Sequence, residues 1–375
     1  MPDLSVAVIV PSYRRPEALA RCLRALSRQT VAPARVVVAV RHSDEGTRRC
    51  VERLRTGLAN LEIADVSGPG VIRAIDAALG RCSEAVIAQT DDDAVPHRDW
   101  IERMLRHYAA DVGGVGGRDL VWDGTTQPGS NRGWGAQREV GRIAWFGRVA
   151  GNHHLGPGLA RQVHVLKGVN ISLRRELWVL DRELKGSGAQ VAWELGMCLR
   201  ARADGWRLIY DPAILVDHFP AERFDEDCRG RPTLRAQTDA EWNQCFVIAR
   251  HAPARLAGQA AIYQLAVGSH AAPGLLRPAL SIQAVRSTVA DPRRYLVTAA
   301  ARMCALAAGF SLRVAARALS DDRGGAVRLC RRLDPVIGCS RWRRASRTVR
   351  TDACNHPVAT GGSNPADVSR ERWSV

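Results

Sequence analysis

Hydrophobic positions in the first ninety residues fall into short unbroken runs separated by helical periodicities. Val6-Ala7-Val8-Ile9-Val10, closed by Pro11-Ser12-Tyr13, is β-branched and continuous, which predicts a strand buried on both faces. Pro16 then opens a segment in which Leu19, Cys22, Leu23 and Leu26 share one helical face, with Glu17 in the first turn. Val36 to Val40 repeats the strand pattern, and Asp44-Glu45-Gly46-Thr47 leads into a helix through Val51 and Leu54. Gly68-Pro69-Gly70 predicts a loop, Val71 to Leu79 a helix, and Ala85 to Thr90 a third buried strand. Unbroken apolar strands alternating with helices predict an α/β domain whose mostly parallel sheet is covered on both faces.

Beyond residue 90 the pattern loosens. Pro96 turns the chain into a helix from Trp100 to Leu105. Gly113-Gly114-Val115-Gly116-Gly117 predicts a loop or a strand edge, and it lacks the G-x-G-x-x-G spacing of a dinucleotide site. Trp122 to Arg161, rich in Gly, Trp, Arg and His, reads as a long surface excursion. Leu166 to Ser172 resumes strand character, Ala192 to Arg202 is a helix, and Trp206 to Tyr210 a strand. Asp211-Pro212 then turns into a further strand, Ala213 to His218. From Asp239 onward alanine- and leucine-rich helices take over. Residues 256–276 contain no Lys, Arg, Asp or Glu and read as an interfacial or packed helix, marginal as a membrane span. Leu296 to Leu319 carries Arg302, Arg313 and Arg317 in an amphipathic basic pattern, and the polar tail after Arg350 predicts disorder. The resulting division is an α/β domain over 1–225, a basic helical region over 226–350 and a tail over 351–375.

Charge sharpens this picture. The 375 residues carry a formal charge of +16, and Lys167 and Lys185 are the only lysines, so the excess is arginine. No RNP, KH or zinc-finger pattern accompanies it, and nucleic acid is not an expected partner. From Arg277 to Arg350 arginines recur while Asp291, Asp321, Asp322 and Asp334 are the only acids, which points this part at an anionic surface such as the inner membrane leaflet. The ten cysteines form no C-x-x-C pair, which argues against a zinc ribbon or a redox motif. The start of the chain has no basic n-region and no h-region, so the expected location is the cytoplasm, with peripheral contact to the cell membrane.

The candidate chemistry begins at Asp91-Asp92-Asp93. An acidic triplet is commonly a solvated loop, but this one closes a buried strand, at the edge where open α/β sheets place their ligand crevices. Adjacent carboxylates repel one another unless a cation or a ligand's donors compensate, and their hard oxygens suit Mg²⁺ or Mn²⁺. A nucleotidyltransferase also presents carboxylates to a metal, but it needs a glycine-rich basic loop after the first strand, and Pro11-Ser12-Tyr13 is not one. A non-catalytic membrane- or nucleic-acid-binding protein on the same fold is the other alternative. Asn152-His153-His154 lacks the spacing that puts two ligands on one helix face and reads as acceptor-loop or structural. Trp122, Trp134 and Trp145 read mainly as partly buried residues, with sugar stacking as the alternative.

Several segments, in order, resemble the family 2 glycosyltransferases with the GT-A fold. Val8 to Pro16 is similar to that family's opening strand and turn, Asp91-Asp92-Asp93 to its D-x-D motif, and Gly168 to Arg175 to its glycine-asparagine segment. Trp193 to Arg200, followed by Gly205-Trp206-Arg207, resembles the catalytic helix, and Asp211-Pro212 to His218 the closing strand with its metal-side histidine. The resemblance spans roughly residues 5 to 220. It implies a metal-dependent, inverting transfer of sugar from a nucleotide-diphospho-sugar to a hydroxyl of a glycan or lipid-linked acceptor. Glu194 would be the general base, and Asp93 and His218 would hold Mn²⁺ or Mg²⁺. Pro11, Ser12, Tyr13, Arg15, Asp44, Asp91 and Asp92 would line the donor site, with Asp91 toward the ribose. The family's aspartate at the end of the second strand is replaced here by Val40-Arg41, with Asp44 on the next turn as its substitute, which leaves the donor's base open. The acidic pair of the catalytic helix appears as Trp193-Glu194, so one carboxylate remains.

Overall fold

A computed structural model of the chain describes residues 4–122, 136–188, 191–225, 233–268, 273–276 and 292–321. Trp134 and the tail after Arg350 lie outside them. The chain divides into two compact units, residues 1–310 and 311–375; only 311–321 of the second are described.

The predicted alternation is realised in the first unit. Strand β1 (Val6–Ser12) lies between β2 (Arg35–Arg41) and β4 (Val86–Thr90), all three parallel. Helix α1 (Pro16–Leu26) buries Leu19, Cys22, Leu23 and Leu26, the face its periodicity marked. Helix α2 (Glu45–Leu54) follows β2, and α3 (Val71–Leu79) precedes β4. The sequence reading missed β3 (Leu61–Val66), which pairs parallel with β2 at the sheet edge. Only one of its faces is buried, so it lacks the continuous apolar run of the other strands.

Past β4 the sheet becomes mixed instead of staying mostly parallel. The order is β3-β2-β1-β4-β10-β6-β11-β5, and β10 (Asn170–Arg174) runs antiparallel to both β4 and β6. The glycine run is no loop: Val112–Val121 forms β6, a central strand between β10 and β11. Its glycines allow close packing, because a Cβ on Gly113 would lie 2.7 Å from Leu177 and Trp206, and one on Gly117 would overlap the Ile214 carbonyl oxygen. The two strands expected around Asp211-Pro212 are one, β11 (Arg207–His218), whose register with β6 shifts between Asp211 and Leu215. β5 (Ala94–Pro96) pairs with the end of β11, and β9 (Arg161–Val163) with its start. The excursion before β9 carries the small ladder of β7 (Arg142–Ile143) and β8 (Val149–Ala150) and buries Val140, Ile143, His153 and Leu155, so it is not purely a surface feature.

Helix α4 (Trp100–Leu105) buries Trp100, whose indole N–H donates to Asn170 Oδ1 at 2.9 Å. Helix α5 (Trp193–Ala203) is followed by α6 (Leu234–His251), capped by Thr233, and α7 (Ala254–Ala266). At 13 residues α7 is short of the roughly 20 that a span requires. Helix α8 (Pro292–Asp321) contains Leu296–Ala316, long and apolar enough to cross a membrane by length and composition. Its Arg302 is buried, 2.8 Å from the Gln264 carbonyl and 3.2 Å from Glu241, so the basic pattern is not simply a solvated face.

Candidate active site

The carboxyl ends of β1, β2 and β4 converge on one mouth, beside the point where the strand order reverses. β4 is buried along its length and ends at Thr90, which carries Asp91, Asp92 and Asp93 onto the turn before β5. Asp92 and Asp93 are buried. Ser12, at the end of β1, donates to Asp92 at 2.7 Å, and Arg15 reaches both carboxylates, at 2.8 Å from Asp92 and 3.2 Å from Asp93. Burial pushes Asp92 up to about 7 despite Arg15.

His218, the last residue of β11, comes in from the opposite side. Its Nε2 lies 3.5 Å from Asp93, and its Nδ1 lies 3.5 Å from Asp119. Neither ring nitrogen has a hydrogen-bond partner among the described residues, although both are buried. Ligand atoms of Asp91, Asp93 and His218 all lie within 4.8 Å of one another. Two hard carboxylates and an unsatisfied imidazole fit Mn²⁺ or Mg²⁺, and that is the test the residues pass. Burial alone would lower the His218 pKa, but Asp119 and Asp93 push it up to about 9. Burial opposes ionisation of Asp93 as well, yet His218, the Ala221 N–H and Arg15 hold it down at about 2. Burial and the charge of Asp93 raise Asp91.

Asp119 is a site residue that the sequence reading missed. It sits near the end of β6, completely buried, with Lys167 Nζ 2.6 Å away. Burial works against its charge, but Lys167 and His218 hold its pKa far below the usual carboxylate range. An aspartate after a glycine run carries no motif. The available signal was Lys167, one of two lysines in a chain that otherwise uses arginine.

The turn after β1 is shaped from β2. Asp44 caps α2 through Thr47, accepting from its backbone N–H at 3.2 Å and its hydroxyl at 2.7 Å. The same carboxylate accepts the Arg14 N–H at 2.6 Å and so holds Arg14 in the left-handed region, φ 58°. A non-glycine residue held there costs on the order of 1–3 kcal/mol, and such strain clusters at functional sites. Tyr13 emerges from this turn with the Arg41 guanidinium 3.6 Å from its ring centroid. Pro11 lies on β1 in register with Ala39.

Glu194 lies in the first turn of α5, behind Ala192, which is also left-handed at φ 77°. Burial raises its pKa, and the charge of Asp91 adds to the effect, which places the two carboxylates in one electrostatic neighbourhood. Gly168 makes room for this helix: a Cβ there would meet the Trp193 ring at 2.6 Å. Asn170, the buried asparagine of the same segment, is structural. It accepts from Trp100 and donates to the carbonyls of Ile214 and Arg118.

Other candidates sit apart from this cluster. His153 is buried, bonded at 3.0 Å to the Val165 carbonyl and packed on Tyr210, and burial drops its pKa to about 4. It is a neutral structural histidine. Asp217 is held by His97 at 3.2 Å and Trp122 at 3.1 Å. Trp122 stacks on Phe219 at 5.5 Å, while Trp145 is 64% exposed beside Phe146 and Tyr263.

A mixed sheet with an acidic, histidine-completed cluster at its carboxyl edge is the class of protein this fold and site define, the GT-A glycosyltransferase fold. A sequence model of the family described as "Glycosyltransferase like family 2" matches residues 2–231, more than half of the chain. The chain belongs to that family. The glycosyltransferase AglE of Haloferax volcanii is 31% identical over 136 residues, 36% of this chain and 43% of AglE. Among solved structures, GalNAc-T7 with UDP, GalNAc and Mn²⁺ aligns with a TM-score of 0.52 at 14% identity, over 65% of this chain and 47% of that one. TarS 1-349 of S. aureus in complex with UDP gives 0.48 at 15% identity, over 84% and 92%. The chain thus spans less than half the length of AglE and of GalNAc-T7.

Proposed function

We propose that the protein is a metal-dependent, inverting glycosyltransferase that moves a sugar from a nucleotide-diphospho-sugar to a hydroxyl of a glycan or lipid-linked acceptor in polysaccharide assembly. The observation that carries this reading is the meeting of Asp91, Asp93 and His218 at one point, with Glu194 in the same electrostatic neighbourhood. Asp93 and His218 would hold Mn²⁺ or Mg²⁺, which when bound offsets the charge of the departing diphosphate. GalNAc-T7, which shares the fold, was solved with UDP and Mn²⁺.

The chain's own residues do the rest. Asp91 faces the donor's ribose. Pro11, Ser12 and Tyr13 form the wall on the β1 side, and Asp44 contributes by bracing the turn that presents Tyr13 and Arg15. Arg15 supplies a positive charge beside Asp92 and Asp93 that leaving phosphate oxygens can share. Glu194 takes the proton from the acceptor hydroxyl. Its pKa, raised by burial, makes it a better proton acceptor than an ordinary surface glutamate. Residues 1–225 hold all of these groups.

The acceptor reading is tied to the helical part. Ile262, Leu275 and Leu276, in the stretch free of charged residues, and Leu296, in the arginine-bearing helix that follows, are each more than half exposed, which suits contact with an anionic cytoplasmic leaflet where lipid-linked acceptors are held. The test of the core proposal is donor hydrolysis and donor-induced thermal stabilisation, screened across nucleotide-sugars with and without Mn²⁺. Asp93→Ala should abolish the Mn²⁺-dependent part of both. Equal donor affinity in the variant, measured by calorimetry, would remove the metal assignment.

A further inference from the structure

We propose that Arg41 reads the donor's nucleobase, and that the base presents a hydrogen-bond donor followed by two adjacent acceptors, as guanine or cytosine does and uracil does not. The inference rests on the nucleotide-sugar reading above and names the class of nucleotide.

Arg41 is the last residue of β2, at the same carboxyl edge as the Tyr13 turn and the acidic cluster. Its guanidinium lies on the Tyr13 ring, 3.6 Å from the centroid, and one amino group binds both oxygens of Asp225, at 2.7 and 2.6 Å. The Arg41 side chain is only 16% exposed. Residues 219–225 run from the acidic cluster to this pair. The Phe219 N–H donates to the Asp93 carbonyl at 2.8 Å, and the Ala221 N–H to the Asp93 carboxylate at 2.9 Å. Phe224 then packs edge-on to Tyr13 and lies under Arg14 at 5.1 Å, and Asp225 closes on Arg41. Asp225 is four chain steps from Ala221, so the two ends are at most about 14 Å apart. A nucleoside diphosphate can bridge that length, with its phosphates at Asp93 and its base at Arg41.

The chemistry of the pair then selects the base. A guanidinium stacked on an aromatic ring directs its N–H groups sideways, in its own plane, and has no acceptor. Arginine pairs best with two adjacent acceptors, which guanine offers as O6 and N7 and cytosine as O2 and N3. Each of those bases carries an N–H donor next to its acceptor pair, and Asp225 stands beside Arg41 to accept it. Uracil alternates acceptor, donor, acceptor, so its N3–H would point at a cation. Adenine sets an amino group beside N7 and breaks the acceptor pair in the same way.

The test is calorimetric titration of the full-length protein with GDP, CDP, UDP and ADP, each with Mg²⁺. GDP or CDP should bind roughly tenfold or more tighter than UDP and ADP, the scale of one bidentate base contact. Arg41→Asp should erase that preference or turn it toward UDP, and Arg41→Gln, which keeps size but loses the fork, should narrow it. UDP binding as tightly as GDP and CDP in the unmodified protein overturns the inference and leaves the glycosyltransferase reading standing. An unchanged ranking in a folded Arg41→Gln variant also overturns it. Absence of binding by all four nucleotides would overturn both.

Discussion

Replacing Lys167 with methionine isolates the electrostatics of the buried side of the site without touching a proposed metal ligand. Lys167 Nζ is 2.6 Å from Asp119, whose side chain is completely buried. Removing one partner of a buried pair commonly costs about 3–5 kcal/mol, because the other charge is left uncompensated. Two features reduce that here. Lys167 is 36% exposed, so water reaches the vacated position, and His218 remains 3.5 Å from the same carboxylate oxygen with a pKa pushed up to about 9. The expected loss at pH 7 is therefore about 2 kcal/mol, below the buried-pair range. Thermal unfolding of EDTA-treated protein should show it as a drop of roughly 4–8 °C.

The pH dependence supplies the sharper readout. In the unmodified protein the folded pKa of Asp119 is depressed, so the pair contributes stability above the unfolded carboxylate value and loses it only as pH falls through the depressed one. In Lys167→Met the folded pKa rises, and protonation relieves the buried charge as pH falls. The stability gap between the two proteins should be wide at pH 7, shrink toward pH 4, and widen again above pH 9 as His218 loses its proton. A gap that stays constant with pH, or that is under about 0.5 kcal/mol, would show that the pair behaves as a surface ion pair and that Asp119 does not depend on Lys167.

Glu194→Gln should preserve the fold and donor binding while lowering transfer by about 10²-fold or more, the scale of a lost general base. With Glu194 intact, the acid limb of the pH–rate profile should lie above the ordinary glutamate range, since the base is lost as pH falls through its raised pKa, and the variant should lack that limb. Gly117→Ala should cost about 1–3 kcal/mol or more, because the added methyl overlaps the Ile214 carbonyl inside the sheet; wild-type denaturant stability would argue that β6 and β11 can separate. Changing Ile262, Leu275 and Leu276 together to serine should reduce sedimentation with anionic liposomes at low salt, and equal recovery of both proteins in the supernatant would leave no role for this surface in membrane contact.

Local pattern was enough to determine the first ninety residues apart from the half-buried edge strand β3. Val6–Val10, Val36–Val40 and Val86–Thr90 are buried on both faces, and a strand of that kind announces itself as a continuous apolar run whatever its neighbours are. The acidic cluster was legible for the same reason, since Asp91-Asp92-Asp93 ends such a run, and motif order along the chain named Glu194 and His218 as candidates beside it. Only the tertiary structure decided the rest. Val112–Val121 is a strand because Leu173, Leu177, Trp206 and Ile214 press so close that nothing larger than hydrogen fits at its glycines, and those neighbours are distant in sequence. Asp119 carries no local signal, because its charge acquires meaning from Lys167 and His218, brought to it from a loop beside β10 and from the end of β11. Arg41 looked like a departure from the family pattern; its setting on Tyr13 and against Asp225 exists only once β1, β2 and residues 219–225 share one mouth. Periodicity records which side of an element is dry, whereas the partner a buried charge finds depends on chain segments far away in sequence, and that is where the sequence alone stopped.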